Sequence, residues 1–124
     1  MTSSPLLVIV DAANVVGSVP DGWWRDRRGA AERLRDRLAA EGLPGVAAGA
    51  VETVLVVEGA ARGVESVPGV RVESADGSGD DLVVELVAAA GPARRCLVVT
   101  ADRDLRRRVT GLGAAVTGPR AARP

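Results

Sequence analysis

Short apolar runs with no polar interruption decide most of what this chain can fold into. The unbroken ones lie at residues 6–10, 53–57 and 96–100, with a shorter strand candidate at 70–72, where Arg71 separates two valines, and a weaker one at 114–117. A strand with one solvated face alternates apolar and polar residues, so an unbroken run argues a strand covered on both faces. Helical patterns fill the intervals. Residues 26–41, "DRRGAAERLRDRLAAE", set Ala31, Leu34 and Leu38 on one face and arginines on the other, then stop at Gly42 and Pro44. Residues 81–90, "DLVVELVAAA", are apolar nearly all round and predict a buried helix, although the valines leave a strand reading open. Residues 102–112 carry Leu105, Val109 and Leu112 as a stripe, with Arg103, Arg106, Arg107 and Arg108 elsewhere. Strands alternating with helices predict an α/β fold, a three-layer α/β/α sandwich around a central, mostly parallel sheet. A length of 124 residues suits one domain, 1–124, with a core from about 6 to 117 between frayed tails "MTSSP" and "GPRAARP".

The charges narrow the chemistry. Sixteen basic residues, all arginine, balance sixteen acids. Net charge therefore argues for neither nucleic acid nor membrane, and any electrostatic signal lies in placement. No apolar run is long enough to span a bilayer. The single cysteine, Cys96 in "RRCLVVT", rules out a disulfide framework and points to a reducing, cytoplasmic setting, most simply as an inert core residue. With no histidine, triads built on that residue are excluded, and so are Cys/His zinc sites. Catalysis in this chain would have to run on carboxylates and arginines.

In an open parallel sheet, ligands bind in the crevice at the carboxyl ends of the strands. Asp11 directly follows the first run in "LLVIVDAANVVG", and Glu58 follows the second in "VLVVEGA". Asp80 and Asp81 follow the loop "ESADGSG", and Asp102 and Asp104 follow the strand of "RRCLVVT" in "TADRD". None of the runs contains an acid. Any one of Asp11, Asp80, Asp81 or Asp102 could simply cap the helix it precedes by accepting from free backbone N–H groups. As a group they exceed that need, because the pairs Asp80–Asp81 and Asp102-x-Asp104 each hold one acid more than a cap uses. Neighbouring carboxylates repel by about 1 kcal/mol per close pair even under solvent-like screening. A divalent cation between them removes that cost. Carboxylates without histidine or thiol suit a hard ion, Mg²⁺ or Mn²⁺. Asn14, three residues after Asp11, is placed to orient a bound water or a substrate.

With these stretches in view, "VIVDAANVVG", "GSGDDLVV" and "VVTADRDLRRRV" together resemble the PIN-like nucleases, and within them the NYN branch that includes the YacP-like proteins. The resemblance runs in order from about Leu6 to Thr117. It implies a compact α/β/α sandwich and hydrolysis of RNA phosphodiester bonds with Mg²⁺ or Mn²⁺. Carried over, Asp11, Asp80 and Asp102 are the catalytic, metal-binding acids. Asn14, Asp81, Thr100 and Asp104 are supporting residues. Two positions depart from the family pattern: Ala13 stands where the branch has tyrosine, and Glu58 where relatives usually have aspartate. Glu58 is thus a further candidate ligand rather than an assigned one.

Beside the acids, Arg25, Arg27, Arg28, Arg103 and Arg106 lie close enough in sequence to screen RNA phosphates, against the simpler reading of solvated helix faces. Trp23 and Trp24 are the only aromatics. One is expected in the core, because a chain without Phe or Tyr has few large residues to fill its interior, and stacking on an unpaired base is the alternative reading of the pair. The partner implied is therefore single-stranded RNA, with no membrane; the oligomer is open, a homodimer among the choices. Two alternatives stay in play: a non-catalytic RNA- or partner-binding module of the same fold, and the toxin of a toxin–antitoxin pair. Toprim chemistry needs glutamate where Asp11 stands, a receiver domain needs a lysine this chain lacks, and "GLGAAVTG" ends a helix instead of opening one as a dinucleotide loop would.

Overall fold

A computed structural model of the chain describes residues 5–19, 22–43 and 51–122. Its elements alternate as expected: β1 (Leu6–Asp11), α1 (Ala12–Gly17), α2 (Arg27–Glu41), β2 (Val51–Val57), β3 (Val70–Ser74), α3 (Gly79–Ala90), β4 (Cys96–Val99), α4 (Arg103–Thr110) and β5 (Ala115–Thr117). Short 3₁₀ turns occupy Trp23–Arg25, Gly59–Ala61 and Pro119–Ala121. The five strands form one sheet in the order β3-β2-β1-β4-β5, every pairing parallel. The chain winds outward from β1 in one direction, then returns to its other side with β4. The crevice between β1 and β4 is the switch point of a doubly wound sheet.

Two apolar layers enclose the sheet, and the two-residue period of a strand sorts side chains between them. Val8 and Val10 of β1, with Leu55 and Val57 of β2, face Ala31, Leu34 and Leu38 of α2. Leu7 and Ile9, with Val54, Val56, Cys96 and Val98, face Val83 and Val87 of α3 and Leu105 and Val109 of α4. Each such valine or leucine removed from water contributes about 1.5–3 kcal/mol. The result is a three-layer α/β/α sandwich.

The same period aims the site. Asp11 extends the row of Leu7 and Ile9, and Thr100 extends the row of Cys96 and Val98. Glu58 keeps an extended backbone (φ −145°, ψ 168°) and so extends the row of Val54 and Val56. All three rows belong to the α3–α4 layer.

Several expectations shift at their edges. The strands run further than the apolar runs suggested. β1 includes Asp11, β2 begins at Val51 and carries Glu52, and β3 carries Glu73, so strands do contain acids. β4 ends at Val99 and β5 begins at Ala115. Helix α4 stops at Thr110, which leaves Leu112 at 43% exposure and outside the buried stripe. Helix α3 is not buried all round: Val83 and Val87 are enclosed, while Ala88 and Ala89 face solvent. Helix α2 ends at Gly42, whose φ of +67° suits glycine, whereas Pro44 lies outside the described residues. The segment after β5 is no loose tail. Ala122 is 1% exposed in the α1–α2 layer, and Arg37 donates to its carbonyl. Residues 1–4 of the other tail lie outside the described residues.

Candidate active site

The centre is built from Asp11 and Thr100, the two buried polar residues among those described. Thr100 Oγ1 donates to Asp11 Oδ2 at 3.0 Å and accepts from the Asp102 backbone N–H at 3.2 Å. One hydroxyl thus ties the end of β1 to the turn after β4, across the switch point. Asn14 makes a second tie. Its Oδ1 accepts from the Ala101 N–H at 2.8 Å, so the carboxamide oxygen fixes the β4 turn instead of facing a water or substrate. Arg106 braces the same turn from α4, its Nε donating to the Thr100 carbonyl at 2.9 Å.

The capping alternative resolves residue by residue. Asp102 caps α4, accepting from Leu105 N–H at 2.9 Å through Oδ1. Asp11 caps α1 only loosely, with Asn14 N–H 3.5 Å from Oδ1. Neither Asp80 nor Asp81 caps α3. Ser78 does, accepting from Asp81 N–H at 3.2 Å. The Ser78-x-x-Asp81 pattern was a readable cap signature that the carboxylate doublet masked. Relieved of capping, Asp80 makes no hydrogen bond or ion pair among the described residues, nor does the Glu58 carboxylate.

Electrostatics link these acids. Burial, first of all, lifts Asp11 from 3.8 to about 6; the charges of Asp80 and Glu58 add to the rise, while the Thr100 hydroxyl and Asn14 amide oppose it. Asp80 is also raised, mainly by burial, then by Asp102 and Glu58, against the pull of Arg108. Asp11, Glu58, Asp80 and Asp102 therefore share one electrostatic neighbourhood, drawn from the ends of β1, β2 and β4 and the start of α3. Gly79 makes room for Glu58: a Cβ there would stand 2.7 Å from Glu58 Oε1 and 3.6 Å from Val56 Cγ1. Sequence reasoning missed this glycine, whose only signal was membership of a Gly/Ser loop.

Other candidates fall outside this neighbourhood. Asp81 is exposed and pairs with Arg108 at 2.9 Å, linking α3 to α4. Asp104 is exposed and pairs with Arg107 one turn along α4. Arg28 is committed to the carbonyls of Arg62 and Gly63. Arg25 lies over the Trp24 ring at 5.8 Å, and Arg27 over the Trp23 ring at 5.4 Å. Neither tryptophan is in the core. Trp24 is 56% exposed, and Trp23 is half-buried against an open cavity beside Glu58.

The donor set suits a hard divalent ion. Its oxygens are carboxylates short of cationic partners, and their repulsion is of the kind such an ion relieves. Among the described residues no three of them already form a cage. Mg²⁺ and Mn²⁺ do not need one, since a Mg²⁺-like ion keeps several waters and takes one or two carboxylates plus substrate phosphate.

The class that fold and site define is a doubly wound α/β/α protein with carboxylates at the switch point of its parallel sheet. Over 94% of its length the chain is similar to the crystal structure of a point mutant of Rae1 (YacP) from Bacillus subtilis, with a TM-score of 0.70 and 20% identity, spanning 71% of that chain. At that identity the likeness is one of fold. No family model and no curated protein matches the sequence. Among the described residues no helix is long and apolar enough to cross a membrane.

Proposed function

We propose that this chain is a metal-dependent ribonuclease hydrolysing phosphodiester bonds of single-stranded RNA. The reading is supported by the mutual electrostatic influence of Asp11, Glu58, Asp80 and Asp102 around the switch point, none of them in an ion pair among the described residues. A structural role would be better served by arginine partners, which this arginine-rich chain supplies elsewhere. Asp11 and Asp80 are the ligands most in need of a cation, Asp102 completes the set, and Glu58 reaches it over Gly79. When bound, Mg²⁺ or Mn²⁺ lowers the pKa of a coordinated water and neutralises charge on the leaving oxygen.

The chain's own residues do the positioning. Thr100 holds Asp11 and the Asp102 backbone in one register, and Asn14 and Arg106 lock the turn that presents Asp102. Burial raises Asp11 while it is alone, so it binds a cation with loss of any proton it carries. Arg103, exposed on the first turn of α4, is the nearest basic residue in sequence to Asp102 and suits a flanking phosphate. A single buried cysteine and no disulfide fit action in the cytoplasm.

The test uses purified protein and end-labelled single-stranded RNA. Cleavage is expected with Mn²⁺ or Mg²⁺, none with chelator, and very little with Asp80→Asn. Equal cleavage by parent and by an Asp11→Asn/Asp80→Asn/Asp102→Asn variant would assign the activity to something else.

A further inference from the structure

Beside the acid centre the structure holds an open cavity of about 190 Å³ that the hydrolytic reading leaves unused. Its lining combines the apolar Ala12, Ala13, Val16 and Ala61 with Trp23, Arg27 and the acid Glu58. We propose that this cavity seats one unpaired nucleobase of the RNA, held by Trp23 and Arg27, in the nucleotide next to the bond that is cut. The proposal rests on the ribonuclease reading for the ligand's class and adds the subsite that positions it.

Three observations carry it. The first is size: drug-sized ligands take about 300–1,000 Å³, and this space is smaller, suited to one planar ring system. The second is chemistry. The Arg27 guanidinium carbon lies 5.4 Å from the Trp23 ring centroid, and both line the cavity. Indole and guanidinium faces are the two surfaces on which proteins stack unpaired bases. The third is continuity. Glu58 borders the cavity and its charge also raises both Asp11 and Asp80, so one residue is common to the cavity and to the acid neighbourhood. Small residues keep it open. Ala13 is exposed and Ala61 is buried, so a larger side chain at 13 would enter the space without disturbing the core.

The chain contains no tyrosine or phenylalanine and only two tryptophans, which makes fluorescence a direct reporter. In Trp24→Phe protein, Trp23 is the single emitter. Titration with a short single-stranded oligonucleotide in chelator should quench it to saturation, and the same oligonucleotide with abasic residues should quench far less. Adding Ala13→Leu should weaken the quenching titration about tenfold or more, the scale of one stacked base, with an unchanged melting point. Quenching by the abasic strand equal to that by the base-bearing strand would mean phosphate binding alone and would overturn the proposal. So would an Ala13→Leu titration matching the parent. If Ala13→Leu lowers the melting point, Arg27→Gln supplies the second variant: a loss of affinity confined to the base-bearing strand supports the proposal, and an unchanged titration or an equal loss on the abasic strand overturns it. Because no step requires cleavage, an inactive protein that still shows base-dependent quenching would sink the nuclease reading and leave the subsite standing.

Discussion

The two ends of the parallel sheet hold the same residue types in opposite arrangements. At the amino end, Glu52 near the start of β2 sits between Arg94 and Arg71, at 2.7 and 2.8 Å, and Arg71 also reaches Glu73 at 3.4 Å. Arg94 further donates to the Pro5 carbonyl. Each of these four charges has an opposite within reach. At the carboxyl end of the same strand, Glu58 has no such partner among the described residues, and Asp11, Asp80 and Asp102 beside it have none either. A chain with sixteen arginines that leaves four neighbouring acids unpaired keeps local frustration at one place, which is where function is expected.

The largest expected effect tests whether that asymmetry is functional. Asp80→Asn should lower metal-dependent RNA cleavage by more than about a hundredfold, beyond the 10–100-fold usual for a residue that merely supports a ligand. Thr100→Val, which removes the hydroxyl joining Asp11 to the Asp102 turn, should fall within that supporting range. Glu52→Gln should leave the rate unchanged. Rates measured under identical Mn²⁺ break the comparison if the amino-end variant loses as much as Asp80→Asn.

That contrast was only half legible in the sequence. The acids could be placed at strand ends because the unbroken runs at 6–10, 53–57 and 96–100 fix where buried strands stop. Their aim toward α3 and α4 follows from side-chain alternation only once the structure shows which face of the sheet those helices cover. What no run shows is pairing between distant segments. Arg71, Arg94 and Glu52 meet only once β3, β4 and β2 are ordered in the sheet. Likewise, nothing local marked Asp81 as Arg108's partner and Asp80 as partnerless, since the two acids look equivalent until α4 packs on α3. Gly79 could not be read either, because its role depends on the reach of Glu58 from a different strand. Leu112 misled for a plainer reason: its spacing fits α4, but the helix has already ended.

A second expectation concerns the chelated protein and pH. The folded Asp11 titrates near 6 and the unfolded one near 3.8, so protonation favours the fold. That contribution is fully present below about 3.8 and is lost as pH rises through about 6. At neutral pH the buried charge costs up to about 3 kcal/mol. Asp11→Asn should therefore melt higher than the parent at pH 7 in chelator, by up to about 10 °C for a domain of this size. The gap should close toward pH 4. A gap independent of pH would show that the variant acts by some route other than charge.

Next in size is the response to the ion itself. Mn²⁺ at ten times its Kd should stabilise the parent by about 1.4 kcal/mol, a rise of roughly 3–7 °C. Asp11→Asn and Asp102→Asn should lose most of that rise, and Glu52→Gln should keep it. A parent indifferent to millimolar Mn²⁺ would remove the metal from the reading and leave Asp102 as a helix cap only.

The smallest effect is the most diagnostic of the comparison. Glu52 and its two arginines are partly exposed, so solvent screens them and such pairs contribute about 0.2–1 kcal/mol. Glu52→Gln should lower the melting point by a few degrees at most, and the loss should shrink in high salt as Debye screening takes over. Asp80→Asn in chelator should move the other way, because removing one of several like charges relieves the rest. Opposite signs at the two ends are what pairing at one and its lack at the other require. If Glu52→Gln also stabilised the protein, the amino-end arginines would not be compensating that acid, and the carboxyl-end acids would no longer stand apart. If both variants destabilised it, Asp80 would have a favourable contact in the fold, and its vacancy as a ligand would be lost.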